Sequence, residues 1–167
     1  MITAEHVRLM AEYNQWMNQR LYDLCEEMGD EARKQDRGAF FGSIHSTLNH
    51  ILYGDLAFMS RFTGDPAEVP PIGVDLHDDF QDLKATRLAL DAHMVAWGAG
   101  LGPDWLAADL TFTSKVDNVT RTLPRWAVVV HMLNHQTHHR GQITTLLSQM
   151  GLDIGTTDIP FMPRFNG

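Results

Sequence analysis

Four stretches of the chain repeat their apolar residues every three or four positions, the spacing that gathers side chains on one face of a helix. The first runs from Thr3 to Met28, with Val7, Met10, Met17, Leu21, Leu24 and Met28 in its stripe, a vacancy at Asn14, and Gly29 placed to end it. The second, Phe41 to Thr63, aligns Ile44, Leu48, Ile51, Phe58 and Phe62 and closes at Gly64-Asp65-Pro66. The third, Leu76 to Trp97, carries Phe80, Leu83, Leu90, Met94 and Trp97, is interrupted by Arg87, and is stopped by Gly98, Gly100, Gly102 and Pro103. The last opens with Pro124 in its first turn and reaches about Met150.

Two segments break the helical period. Pro66 to Asp75 contains Pro66, Pro70, Pro71 and Gly73 and reads as loop. Between Leu110 and Leu123 the pattern alternates through β-branched residues on either side of Lys115-Val-Asp-Asn118, which predicts a short β-hairpin. An isolated hairpin is marginal, so it is expected to pack on the helices, as a lid or as a dimer element. Four striped helices of ~33–40 Å each define an all-α four-helix bundle, one domain over residues 1–167, with a hairpin-like insert before the last helix.

Chemistry enters where polar residues interrupt the stripes. On the last helix the stripe reads Val128, Met132, His135, His139, Gln142 and Leu146, so two histidines lie one turn apart on one face and can converge on one ion. His131 and His138 complete a group of four histidines within nine residues, but His131 and His139 are ~12 Å apart along the axis, too far to share a metal at bonds of ~2.0–2.1 Å. His135 belongs to every workable pair, and the stripe selects His139 as its companion. A third ligand must come from elsewhere. Leu48-Asn49-His50 repeats the tripeptide Leu133-Asn134-His135, which makes His50 a candidate, with His45 its rival one turn earlier. Asp55 is a further ligand, a carboxylate orienting an imidazole, or a surface acid. The His135–His139 spacing is that of zinc peptidases, yet Gln136 stands where their catalytic Glu must be, so that reading is weak. Three imidazoles without a thiolate suit one divalent transition metal, Zn, Ni or Fe(II), with a position left open.

Composition narrows the partners. With 13 Lys+Arg against 21 Asp+Glu the net charge is −8, which leaves no basic excess for phosphates, so neither nucleic acid nor an anionic membrane is expected. The single Cys25 excludes an internal disulfide, and with no adjacent His it reads as a packed thiol rather than a nucleophile. Glu5, His6 and Arg8 break the N-terminal apolar residues, which argues against a signal peptide, and the longest apolar run, Trp126 to Val130, is far short of a membrane span. A cytoplasmic protein acting on a small molecule is expected.

Tyr13-Asn-Gln-Trp16, Leu48-Asn-His50-Ile-Leu-Tyr-Gly-Asp55 and above all His135-Gln-Thr-His-His139-Arg-Gly-Gln142 resemble the DinB/YfiT-like family of small bacterial metalloproteins, which is unrelated to the DNA polymerase sharing the name. The resemblance spans almost the whole chain. It implies an up-down-down-up bundle, often a homodimer, with one divalent metal held by His50, His135 and His139. Several members are transferases or isomerases that use low-molecular-weight thiols, and the resemblance implies the same activation of a thiol here. Asn14 and Arg87 are candidates to hold a polar or anionic part of a substrate, a core hydrogen bond or salt bridge being the alternative. Tyr13 and Trp16 are candidate pocket walls, and Gln142 a candidate neighbour of the metal ligands. A noncatalytic metal-binding or stress-response protein and a metal-dependent hydrolase are the other readings.

Overall fold

A computed structural model describes residues 1–166. Its elements are helices α1 (Ala4–Glu27), α2 (Asp30–Lys34), α3 (Ile44–Thr63), α4 (Phe80–Ala99) and α5 (Pro103–Ala107), strands β1 (Asp109–Thr113) and β2 (Thr120–Pro124), and helix α6 (Arg125–Gln149). Two single 3-10 turns follow in the tail.

Three of the four long helices start where a short polar side chain caps their free amides. Thr3 accepts from the His6 N–H at 3.1 Å, Ser43 from Ser46 at 3.0 Å, and Asp79 from Gln81 and Asp82 at 2.7 and 3.1 Å. These caps move two predicted boundaries: α3 begins at Ile44 rather than Phe41, and α4 at Phe80 rather than Leu76. Pro124 ends β2 and precedes α6 instead of lying in its first turn, and Pro103, expected only as a stop, opens α5.

Side-chain pairs fix the direction of each helix. Lys84 reaches Asp23 and Glu26, Asn18 reaches Asp91, and Gly98 faces Arg8 and Ala11, so α1 and α4 run antiparallel. Arg87 pairs with Asp55 and Trp97 stacks on Phe62, so α3 and α4 run parallel. His50 faces His135 and His139 while Phe58 faces His131, so α3 and α6 are antiparallel. The result is the up-down-down-up four-helix bundle, with β1 and β2 paired antiparallel from Asp109↔Pro124 to Thr113↔Thr120.

The core contains Val7, Met17, Leu21, Leu48, Ile51, Leu83, Met94, Met132, Ile143 and Leu147. On α6 the buried line differs from the predicted one. It runs through Val129, Leu133, Gln136, Arg140, Ile143 and Leu147, while His135, Gln142 and Leu146 are only half-buried. The histidine stripe is therefore an edge of the core, turned toward α3. Near the end of α1 Cys25 is fully buried, while Leu24 is half-buried and packs against the core. No helix among the described residues is long and apolar enough to cross a membrane.

Candidate metal centre

α3 and α6 bring His50, His135 and His139 together so that one ring nitrogen of each lies within 4.8 Å of the others. Nε2 of His50 and Nε2 of His135 are 2.9 Å apart, and the His135 and His139 ring centres are 4.4 Å apart. Nitrogens bound to one tetrahedral ion at ~2.0–2.1 Å stand ~3.3–3.4 Å from one another, between the 2.9 Å Nε2–Nε2 separation and the 4.8 Å outer limit of the group. The donor set fits a divalent transition metal.

The protonation of the rings suits ligation. His139 donates its Nδ1–H to Gln142 Oε1 at 2.8 Å, which leaves Nε2 with its lone pair. Burial, with His139 adding to it, lowers the His50 pKa to about 4. Burial also lowers His135 to about 3, with His139, His50 and the flanking histidines contributing. His139 is lowered by burial and partly restored by Gln142. At neutral pH all three rings are neutral, the form that binds metal.

Two residues shape the site without having been singled out for it. Gly54, one turn after His50, lies under the His135 ring, where an added Cβ would stand 2.8 Å from Cε1. Only glycine admits the imidazole there. Phe41 stacks on His50 with ring centres 3.9 Å apart and meets His139 edge-on at 5.5 Å. The signal for Phe41 is Gly42-Ser43, a turn and an N-cap that place the phenyl ring just before the helix rather than on it.

Several candidates lie elsewhere. His45 is buried and donates from Nε2 to the His77 carbonyl at 2.9 Å, so it is no rival for the cluster. Asp55 is fully buried but ion-pairs with Arg87 at 2.6 Å instead of orienting an imidazole. Arg87 also holds Asp91 at 2.8 Å, and Asn18 donates to both Asp91 oxygens. Asn14 donates to Gln136 in the same interior, so Asn14 and Arg87 belong to a core network and not to a pocket wall. Tyr13 and Trp16 are not in the lining of the cavity that opens beside His50 and His135: the Tyr13 hydroxyl donates to the Thr157 carbonyl at 2.8 Å, and Arg20 lies over Trp16. Gln142 is the pocket candidate that touches a cluster histidine, and it also contacts exposed His138 at 3.3 Å.

A cavity of about 530 Å³ opens beside His50 and His135. Its floor is α3, its far wall α6 at Val128 and His131, and its outer wall the hairpin through Phe112, Val116 and Leu123. The insert thus walls the space next to the histidines.

The fold and site together define a small helical-bundle protein with a three-histidine cluster between its second and fourth long helices. The chain belongs to the DinB family, whose model matches residues 1–166. It is 25% identical over 153 residues to Protein DinB of Bacillus subtilis (strain 168), covering 88% of this chain and 87% of that protein. It is likewise 25% identical over 141 residues to Uncharacterized protein YrdA of the same organism, covering 78% of this chain and 75% of that protein. A DinB-like protein from Bacillus cereus ATCC 10987 has the same fold in its crystal structure, with a TM-score of 0.62, 20% identity, and coverage of 84% of this chain and 89% of that one.

Proposed function

We propose that the protein is a metal-dependent enzyme that activates a low-molecular-weight thiol for transfer to a small electrophile. The observation that carries this reading is the convergence of three neutral imidazoles, two of which, His50 and His135, line a cavity of about 530 Å³, a volume within the range of small-molecule pockets. His50, His135 and His139 would hold the ion, which can be Zn, Ni or Fe(II) by ligand type. When bound, such an ion supplies Lewis acidity that lowers the pKa of a thiol at its open position.

The chain's own residues prepare that chemistry. Gln142 keeps the His139 proton on Nδ1, Gly54 admits the His135 ring, and Phe41 covers His50 against water. In the transfer the thiolate sulfur bonds to the electrophilic carbon, the leaving group departs with its electron pair, and the thiol proton passes to solvent.

Two observations favour a thiol from outside the protein. Cys25 is buried in the core, and burial pushes its thiol up to about 12, so it is no nucleophile at neutral pH. The acid on the cavity wall, Asp117, is ion-paired with Arg121, which leaves water without a free carboxylate to serve as general base. Assembly as a homodimer in the cytoplasm is part of the same reading and is checked by sedimentation.

The test is elemental analysis of untagged protein followed by turnover. One equivalent of a divalent transition metal per chain is expected, together with a metal-dependent rate for bacillithiol, mycothiol, glutathione or cysteine with one of a panel of electrophiles. Metal without turnover for any thiol selects the noncatalytic or hydrolase readings, and metal near zero after supplementation rejects the centre itself.

A further inference from the structure

The cavity beside the histidines has a second polar feature at its opposite end. Arg61 lies on the same face of α3 as His50, Gly54, Ala57 and Phe58, eleven residues and so ~16 Å beyond His50 along the axis. Its guanidinium carbon is 5.2 Å from the Phe58 ring centre and 4.7 Å from that of Phe112 on the hairpin. Stacking engages the faces of a guanidinium and leaves its N–H groups, which lie in the plane, free to form a fork for an oxyanion. Among the described residues the Arg61 guanidinium has no carboxylate partner and donates no hydrogen bond, whereas its neighbour Arg121 is held by both oxygens of Asp117 at 2.9 and 2.5 Å. With Arg61, Lys115 and Arg121 against Asp117, the cavity wall is cationic in a chain of net charge −8.

We propose that this cavity binds a small amphiphilic anion, with its carboxylate on Arg61, its apolar body along Ala57, Phe58 and Val128, and its other end at His50 and His135. The apolar wall desolvates the ion pair and so strengthens it, and partial burial already weakens the hold of Arg61 on its own proton, a cost that an anionic ligand offsets. The claim that this ligand is a reactant rests on the metal-centre reading; the binding site itself does not.

The experiment uses metal-free protein, so that a carboxylate cannot report on an ion, and compares 4-phenylbutyrate with its neutral amide by calorimetry. The acid is expected to bind about tenfold or more tightly than the amide, as a charge-assisted hydrogen bond requires. Arg61→Gln should level the two affinities, Arg61→Lys should keep part of the preference, and His135→Ala should leave it unchanged. Equal affinity of acid and amide for the unmodified protein, no binding of either at millimolar concentration, or a preference that survives Arg61→Gln each overturns the proposal. Because the ratio is measured without metal, a protein that binds no metal still returns it, and the two readings fail separately.

Discussion

Arg87 in the middle of the bundle and His135 at its edge each interrupt an apolar face, yet they answer burial in opposite ways. Arg87 is fully buried among groups of opposite charge, with Asp55 at 2.6 Å and Asp91 at 2.8 Å, and Asn18 closes the remaining valence of Asp91. His135 is half-buried among groups of its own kind, His50 and His139, and its Nδ1 has no hydrogen-bond partner. The opposite charges hold one another in ion pairs, although Asp55 Oδ1 and Arg87 Nε make no hydrogen bond. Converging donors of one type remain stable only by staying neutral, and they retain the capacity to bind a cation. A polar residue in a helical stripe is thus read by what faces it rather than by its own identity.

That contrast predicts separable failures. Arg87→Met leaves two buried carboxylates without their ion-pair partner and should cost about 3–5 kcal/mol in urea unfolding, while the folded fraction still binds one metal. His135→Ala should abolish metal binding by elemental analysis and change the unfolding free energy of metal-free protein by less than about 1 kcal/mol, as expected for a half-buried ring whose one hydrogen-bond contact is with His50. His131→Ala should leave metal content intact, since its exposed ring meets Phe58 edge-on, outside the cluster. If Arg87→Met empties the site, or His135→Ala unfolds the bundle, the two clusters are one unit.

Smaller changes sharpen the site half of the comparison. Gly54→Ala places a methyl 2.8 Å from His135 Cε1, so the ring must turn away; metal affinity should fall at least about tenfold in a chelator competition, with little change in helicity. Gln142→Leu removes the acceptor that fixes the His139 proton on Nδ1 and should weaken the metal by about 10–100-fold, the usual effect of losing such a partner. A variant with unaltered affinity in either case would mean that the cluster does not depend on ring orientation.

The bundle was legible because its stripes are long and its breakers sharp: Val7, Met17 and Leu21, Ile44, Leu48 and Ile51, and Phe80, Leu83, Leu90 and Met94 are buried where their spacing puts them, with Met10 only half-buried. His50, His135 and His139 were legible partly from spacing and partly from resemblance, and the structure brings the three together. What periodicity could not give was rotation by a fraction of a turn. The spacing admits both the line through His135 and the line through Gln136, and packing against α1 and α4 decides between them. Nor could it distinguish Asn14 and Arg87 as core members from pocket residues, because only tertiary partners, Gln136 for one and Asp55 with Asp91 for the other, make that difference. Phe41, Gly54 and Arg61 acquire their roles from the approach of α6 and the hairpin, which no local pattern encodes.

The finest test of the comparison is the response of stability to acid, where the two clusters have opposite signs. His50 and His135 have folded pKa values lowered to about 4 and about 3, below the ~6.5 of an unfolded histidine. As pH falls below ~6.5 the unfolded chain takes up protons that the folded one refuses, so these rings make the protein less stable between pH 7 and about 4. Asp91 behaves the other way. Burial raises its pKa to about 6 against the pull of Arg87, so the folded chain takes up that proton first and gains stability as pH falls from about 6 toward ~4. In metal-free protein the His50→Ala/His135→Ala variant should therefore gain on the unmodified chain between pH 7 and 5, and Asp91→Asn should lose on it over the same range. The shift is expected to be no more than about 1 kcal/mol per imidazole, because water screens half-exposed rings. Urea midpoints measured at both pH values decide the matter: two difference curves of the same sign would mean that the folded protein favours the protonated form of the histidine cluster, as it does that of Asp91.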